Sequence, residues 1–204
     1  NCDDWCPTAA TDGRNLYYNT QFFNAMSNKE IEFVIAHEIM HCVFDHLIRR
    51  DDRDPMLYNI AADYIVNNTL VRDKIGDIPK LVPCFQDFKY NGWTSEEVYE
   101  DLKENYEEQE LKELGELLDE HVDWESDPGD GEGKEGKEGG NSRPKYTKEE
   151  LKKIRDEVKE NMMSAAQAAG AGNTPKEIQR MIKELTEPKM NWRELLRQQI
   201  QSTI

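Results

Sequence analysis

Long apolar runs are missing from this chain of 204 residues. A bilayer-spanning helix needs about 20 consecutive apolar residues, so no membrane association is expected. Basic charge is scarce as well: 26 Lys and Arg stand against 42 Asp and Glu, a formal net charge of -16. Nucleic-acid binding requires clustered Lys and Arg to neutralise phosphate, and that class is excluded. The acidity itself reads as a solubility device. Cysteine is too sparse for a disulfide framework, with only Cys2, Cys6, Cys42 and Cys84 in a chain of this length. Cys42 lies in an apolar run and reads as a small buried hydrophobe. The Cys2–Cys6 spacing would suit a metal or a disulfide, but no second Cys/His pair accompanies it. A reducing, cytoplasmic setting is therefore expected. The start lacks a signal-peptide pattern, and since the first residue is Asn1 rather than Met, the chain is expected to begin inside a longer protein.

What the chain does have is clear punctuation. Within residues 8–19, Asp12-Gly13 is a hairpin signal between two short stretches of strand character. Ser27 and Glu30 form a capping box that opens an apolar segment from Ile31 to Ile48, greasy on nearly every side and hence expected as a buried central helix. Asp54-Pro55 opens a second helix to about Leu70. It carries Asn59, Asp63 and Asn67 on one face, and Ala61 and Ala62 would let it lie close to a neighbour. Residues 74–93 read as an irregular connection, and Thr94 with Glu97 opens a charged helix to about Leu118. Residues 126–144 are a low-complexity run of Gly, Glu and Lys, expected to be a flexible linker. Helix starts follow at Thr147, Thr174-Pro175 and Asn191.

The chemistry centres on His37-Glu38-Ile39-Met40-His41. Histidines four apart on a helix share a face and can share a metal. Zinc suits such a site because it accepts four or five ligands and lowers the pKa of bound water to about 7. Glu38 is placed to take the proton from that water and hand it to a leaving amine. Such a motif alone is only suggestive; its setting in an apolar helix, where His and Glu are costly unless paired or metal-bound, adds weight. A structural reading, with two hydrogen-bonded core histidines and Glu38 turned outward, stands beside it. For a third ligand there are two candidates. His46 follows His41 by five residues, which on a continuing helix turns it about 140° away. Asp63 comes from the next helix and is the better candidate, with Asn59 one turn earlier available to orient a ligand. The alternative for Asp63 is a surface carboxylate.

Taken together, Thr11-Asp12-Gly13-Arg14, Leu16-Tyr17-Tyr18-Asn19, the His37–His41 motif with His46, and Asn59-Ile60-Ala61-Ala62-Asp63 with Asn67 resemble a metallopeptidase family of bacteria and phages. Members of that family often carry a von Willebrand A-like domain downstream, and residues 187–196 resemble the segment that precedes it. The resemblance implies an α+β fold: a mainly helical zincin-like domain with a small antiparallel sheet near the N-terminus. It implies peptidase activity without naming a substrate.

The expected organisation is a zincin-like catalytic domain over 1–125, the acidic Gly-rich linker over 126–144, and a C-terminal helical segment over 145–204 packing on the catalytic domain. The expected function is peptide-bond hydrolysis with a Zn2+ ion on His37, His41 and Asp63 and with Glu38 as base. Protein or peptide would be the substrate, its strand adding to a sheet edge at Arg14–Asn19. The alternative is a non-hydrolytic zincin-like adaptor that recruits partners, a downstream von Willebrand A-like domain among them. Retention of Glu38 favours hydrolysis. His121 and several tyrosines are candidates for oxyanion stabilisation.

Overall fold

In the computed structural model of the chain, which describes residues 6–106, 146–170, 172, 174 and 176–186, the hairpin forms around Asp12. Strands β1 (Ala9–Thr11) and β2 (Leu16–Tyr18) pair antiparallel, with Ala9 opposite Tyr18 and Thr11 opposite Leu16. The turn is organised by the Asp12 carboxylate, which accepts from the backbone N–H groups of Arg14 at 2.8 Å and Asn15 at 2.7 Å. Asn19 ends the hairpin and caps a short helix α1 (Thr20–Asn24).

Helix α2 (Asn28–Val43) starts at the Ser27–Glu30 capping box. It stops five residues short of the expected Ile48. Phe44 closes it, Asp45 takes a left-handed backbone conformation at φ 63°, and a new turn α3 (His46–Arg49) follows. The break is held from outside the helix. Arg49 donates to the Phe44 carbonyl at 3.0 Å and grips Glu96 through Nε at 3.0 Å, while Arg155 lies 3.5 Å from the Asp45 carboxylate. Helix α4 (Pro55–Asp73) is capped by Asp54, whose carboxylate accepts from Leu57 N–H at 2.9 Å. It is the most enclosed helix of the described residues: Ile60, Ala61, Val66 and Leu70 are fully buried. The expected central helix α2 buries Phe33, Val34, Glu38, Met40, His41 and Val43 but leaves Ile39 53% exposed.

An irregular connection with a 3-10 turn at Phe88–Tyr90 leads to α5 (Ser95–Asn105), opened by the Thr94–Glu97 capping box. This helix ends at Asn105, before the expected Leu118, and residues 107–145 lie outside the described ones. Its Val98 and Leu102, both with no exposed surface, cluster with its own Tyr99 and with Tyr58 and Ala61 of α4. Full burial of side chains of this size contributes about 1.5–3 kcal/mol each. Helix α6 (Lys148–Ala169) places Leu151 and Ile154 against Cys6 and Ala10 of the hairpin. Helix α7 spans Lys176–Thr186.

The architecture is thus mainly helical with one two-stranded antiparallel sheet near the N-terminus. The chain separates into two compact units, residues 1–162 and 163–204. In the second, the Thr174 hydroxyl donates to the Gly170 carbonyl at 3.2 Å and Gln179 Nε2 donates to the Thr174 carbonyl at 2.6 Å. Among the described residues, no helix is long and apolar enough to cross a membrane. The expected linker over 126–144, the helix start at Asn191, Cys2 and His121 fall outside the described residues.

Candidate metal centre

Helix α2 contributes His37 and His41, and α4, packed across it, contributes Asp63. One turn of helix separates the two imidazoles and aims both Nε2 atoms the same way. They stand 3.0 Å apart. Asp63 Oδ1 lies 3.2 Å from His41 Nε2 and 3.5 Å from His37 Nε2. Ala61 and Ala62, both buried, precede Asp63 on α4. Ala61 packs toward α5, in the cluster with Val98 and Leu102.

Three ligand atoms of His, His and carboxylate type meeting in a triangle can be tested against a metal. A tetrahedral zinc site with bonds of about 2.0–2.1 Å has ligand–ligand edges of about 3.3 Å. The observed edges of 3.0, 3.2 and 3.5 Å bracket that value. His41 and Asp63 are 4% and 6% exposed, so water contributes little to neutralising the group. A cation in the triangle would. The residues present therefore fit a metal, with three protein ligands.

The atoms behind the ligands fix their orientation. Asn67, one turn after Asp63, accepts from His37 Nδ1–H at 2.9 Å, and its own Nδ2 donates to the Phe85 carbonyl at 3.0 Å. The second bond settles which way the amide faces. The first requires a proton on His37 Nδ1, so that in the neutral ring Nε2 is the unprotonated nitrogen, facing the centre. The orienting residue is thus Asn67 and not Asn59, the neighbour one turn the other way. Asn67 was visible on the same helix face, but the irregular connection that brings Phe85 to it was not.

His46 takes no part in the triangle. Nor does it point away, as a continuous helix would require. The break at Phe44–Asp45 swings it back until its Nδ1 lies 3.2 Å from His41 Nδ1, with its Nε2 2.8 Å from Ser95 Oγ. Glu38 is buried, 5% exposed. Helix geometry sets it about 60° around α2 from His41. Cys42 lies nearby, its Sγ directed at the Glu38 carbonyl at 3.5 Å and at Thr11 Oγ1 at 3.7 Å. Burial, and then the Glu38 charge, push the Cys42 thiol up to about 12, so it stays protonated as a small packing residue. Cys84 is similarly pushed up to about 11, by burial first and then by Asp63.

A family model described as "Putative metallopeptidase domain" matches residues 1–204. No curated protein and no solved structure matches the chain.

Proposed function

Because the chain belongs to the family described as "Putative metallopeptidase domain", we propose that it hydrolyses peptide bonds with one zinc ion held by His37, His41 and Asp63 and with Glu38 as the general base. The observation that carries this reading is the triangle of Nε2, Nε2 and Oδ1 atoms with edges of 3.0, 3.2 and 3.5 Å. When bound, zinc supplies Lewis acidity, lowering the pKa of water to about 7 and polarising the carbonyl to be attacked.

The chain's own residues do the rest. His37 presents its bare Nε2 because Asn67 holds the proton on the other ring nitrogen. Asp63 brings negative charge from a separate helix, which lets the ligands close around an ion rather than line one side of it. Glu38, one residue beyond the first ligand, takes a proton from the attacking water and delivers it to the leaving amine. A peptide substrate would add its backbone to an edge of the hairpin, where Leu16 and Tyr18 of β2 are 38% and 39% exposed.

The Glu38→Gln variant tests this reading. An amide of the same shape cannot accept the proton. Zinc content and far-UV circular dichroism should match the wild type, while cleavage of a peptide library falls by about 100- to 10,000-fold. Cleavage at a near wild-type rate contradicts the assignment.

A further inference from the structure

His46 and Ser95 remain outside the reaction as described, yet both are buried, with 6% and 1% exposure, directly behind a ligand. The chain of contacts is continuous. His41 Nε2 faces the triangle, His41 Nδ1 meets His46 Nδ1 at 3.2 Å, and His46 Nε2 meets Ser95 Oγ at 2.8 Å. The His46 ring is walled by Phe44, with centroids 5.5 Å apart, and by Tyr58, edge-on at 6.2 Å. The position of Ser95 is equally determined. It is the first residue of α5, fixed by the Thr94–Glu97 capping box, and its neighbour Glu96 is gripped by Arg49 of α3.

Proton counting gives this chain one direction once a metal is bound. A neutral imidazole that offers Nε2 to a metal carries its proton on Nδ1. The His41 Nδ1–H must then donate, so His46 Nδ1 must be bare. The His46 proton therefore sits on Nε2 and is donated to Ser95 Oγ. Had Ser95 donated to His46 instead, the His46 Nδ1–H would point at His41 and put the proton of His41 on the atom the metal needs.

We propose that His46 is a positioning residue that accepts from His41 and, with Ser95 behind it, selects the metal-binding tautomer of His41. This rests on the zinc reading above. The break of α2 at Phe44–Asp45 is what makes this contact possible. An unbroken helix would carry His46 away and leave the Nδ1–H of a buried ligand without this acceptor. Outer partners of ligating histidines of this kind matter at about 10- to 100-fold in metal affinity.

The test uses the full chain, zinc as the probe, and two substitutions. His46→Leu fills the space and removes the acceptor. His46→Asn restores an acceptor oxygen close to the position of Nδ1. In a competition titration with a chromophoric chelator, His46→Leu should bind zinc about 10- to 100-fold more weakly than wild type, and His46→Asn should recover most of that loss. A purely structural role would not produce the recovery. In the zinc-loaded wild type, nitrogen-15 shifts should place the proton of His41 on Nδ1 and that of His46 on Nε2. This measurement needs no variant to fold. If the wild type takes up no zinc, the metal reading fails and this inference with it. If the wild type binds zinc and folded His46→Leu binds it as tightly, or if His46 carries its proton on Nδ1, the inference fails alone.

Discussion

Asp12 has no exposed surface and is nevertheless placed to stay ionised. Its two oxygens accept from Arg14 N–H, Asn15 N–H, Asn15 Nδ2, Tyr17 OH and Tyr146 OH, at 2.7 to 3.0 Å. Burial by itself would raise its pKa. The bonds from Asn15, Tyr146 and the turn backbone outweigh that and hold the carboxyl below the usual range. The sign follows from that direction. A lowered folded pKa gives stability that is fully present above the unfolded value of about 3.9 and is lost as pH falls through the lower folded value. At the other end, burial first and Asp12 second push the Tyr17 hydroxyl up to about 12. Its share is present below the unfolded value of about 10 and is lost as pH rises toward 12. Asp12→Ala should cost about 3 kcal/mol, because it removes five hydrogen bonds to a buried carboxylate at once. The acid limb of the stability profile should flatten with it. Urea titrations of both proteins across pH 3–7 would check this. The turn was legible because Asp-Gly is a local signal, whereas the bond from Tyr146, distant in sequence, was not.

At the scale of elements, what could be read in advance was what neighbouring residues decide. The capping boxes at Ser27 and Thr94, the Asp54-Pro55 start and the shared face of Asp63 and Asn67 all belong to this class. The end of α2 does not. Asp45 holds a left-handed backbone without being glycine, and the groups around it, Arg49, Arg155 and Lys159, come from other elements. A pattern of apolar residues running on to Ile48 carries no trace of that decision. Hence His46, on the far side only if the helix continued, lies behind His41 once the helix ends at Phe44. The connection after α4 depends on a glycine in a way that can be tested. Gly76 has φ +63°, and a Cβ there would come within 2.5 Å of Phe33 N and 2.6 Å of Lys29 O, backbone atoms of α2. Neither can move aside. Gly76→Ala should cost about 2–5 kcal/mol from strain and overlap together. Gly92→Ala, at φ +84° with nothing within 4 Å, should cost only the conformational part, about 1–2 kcal/mol. Equal losses for the two in thermal or chemical unfolding would contradict the close approach.

At the scale of the whole molecule, the candidate centre and the residues that orient it lie in the first compact unit. The ligand triangle sits where α2 and α4 pack, with Asn67 and the Phe85 segment on one side and His46, Ser95 and Arg49 on the other. Two elements supply the ligands, and three others keep those two in place. The grouping of His37, His41 and Asp63 was readable because an i, i+4 histidine pair and a carboxylate on the following helix are patterns of spacing. Its supports were not, because they depend on long-range packing. Zinc K-edge X-ray absorption on the chain loaded with one equivalent of zinc would test the centre most directly. The expected result is a first shell of nitrogen and oxygen at about 2.0–2.1 Å, with outer-shell scattering from two imidazoles. A sulfur shell at about 2.3 Å, or scattering from fewer than two imidazoles, would contradict a site built from His37, His41 and Asp63.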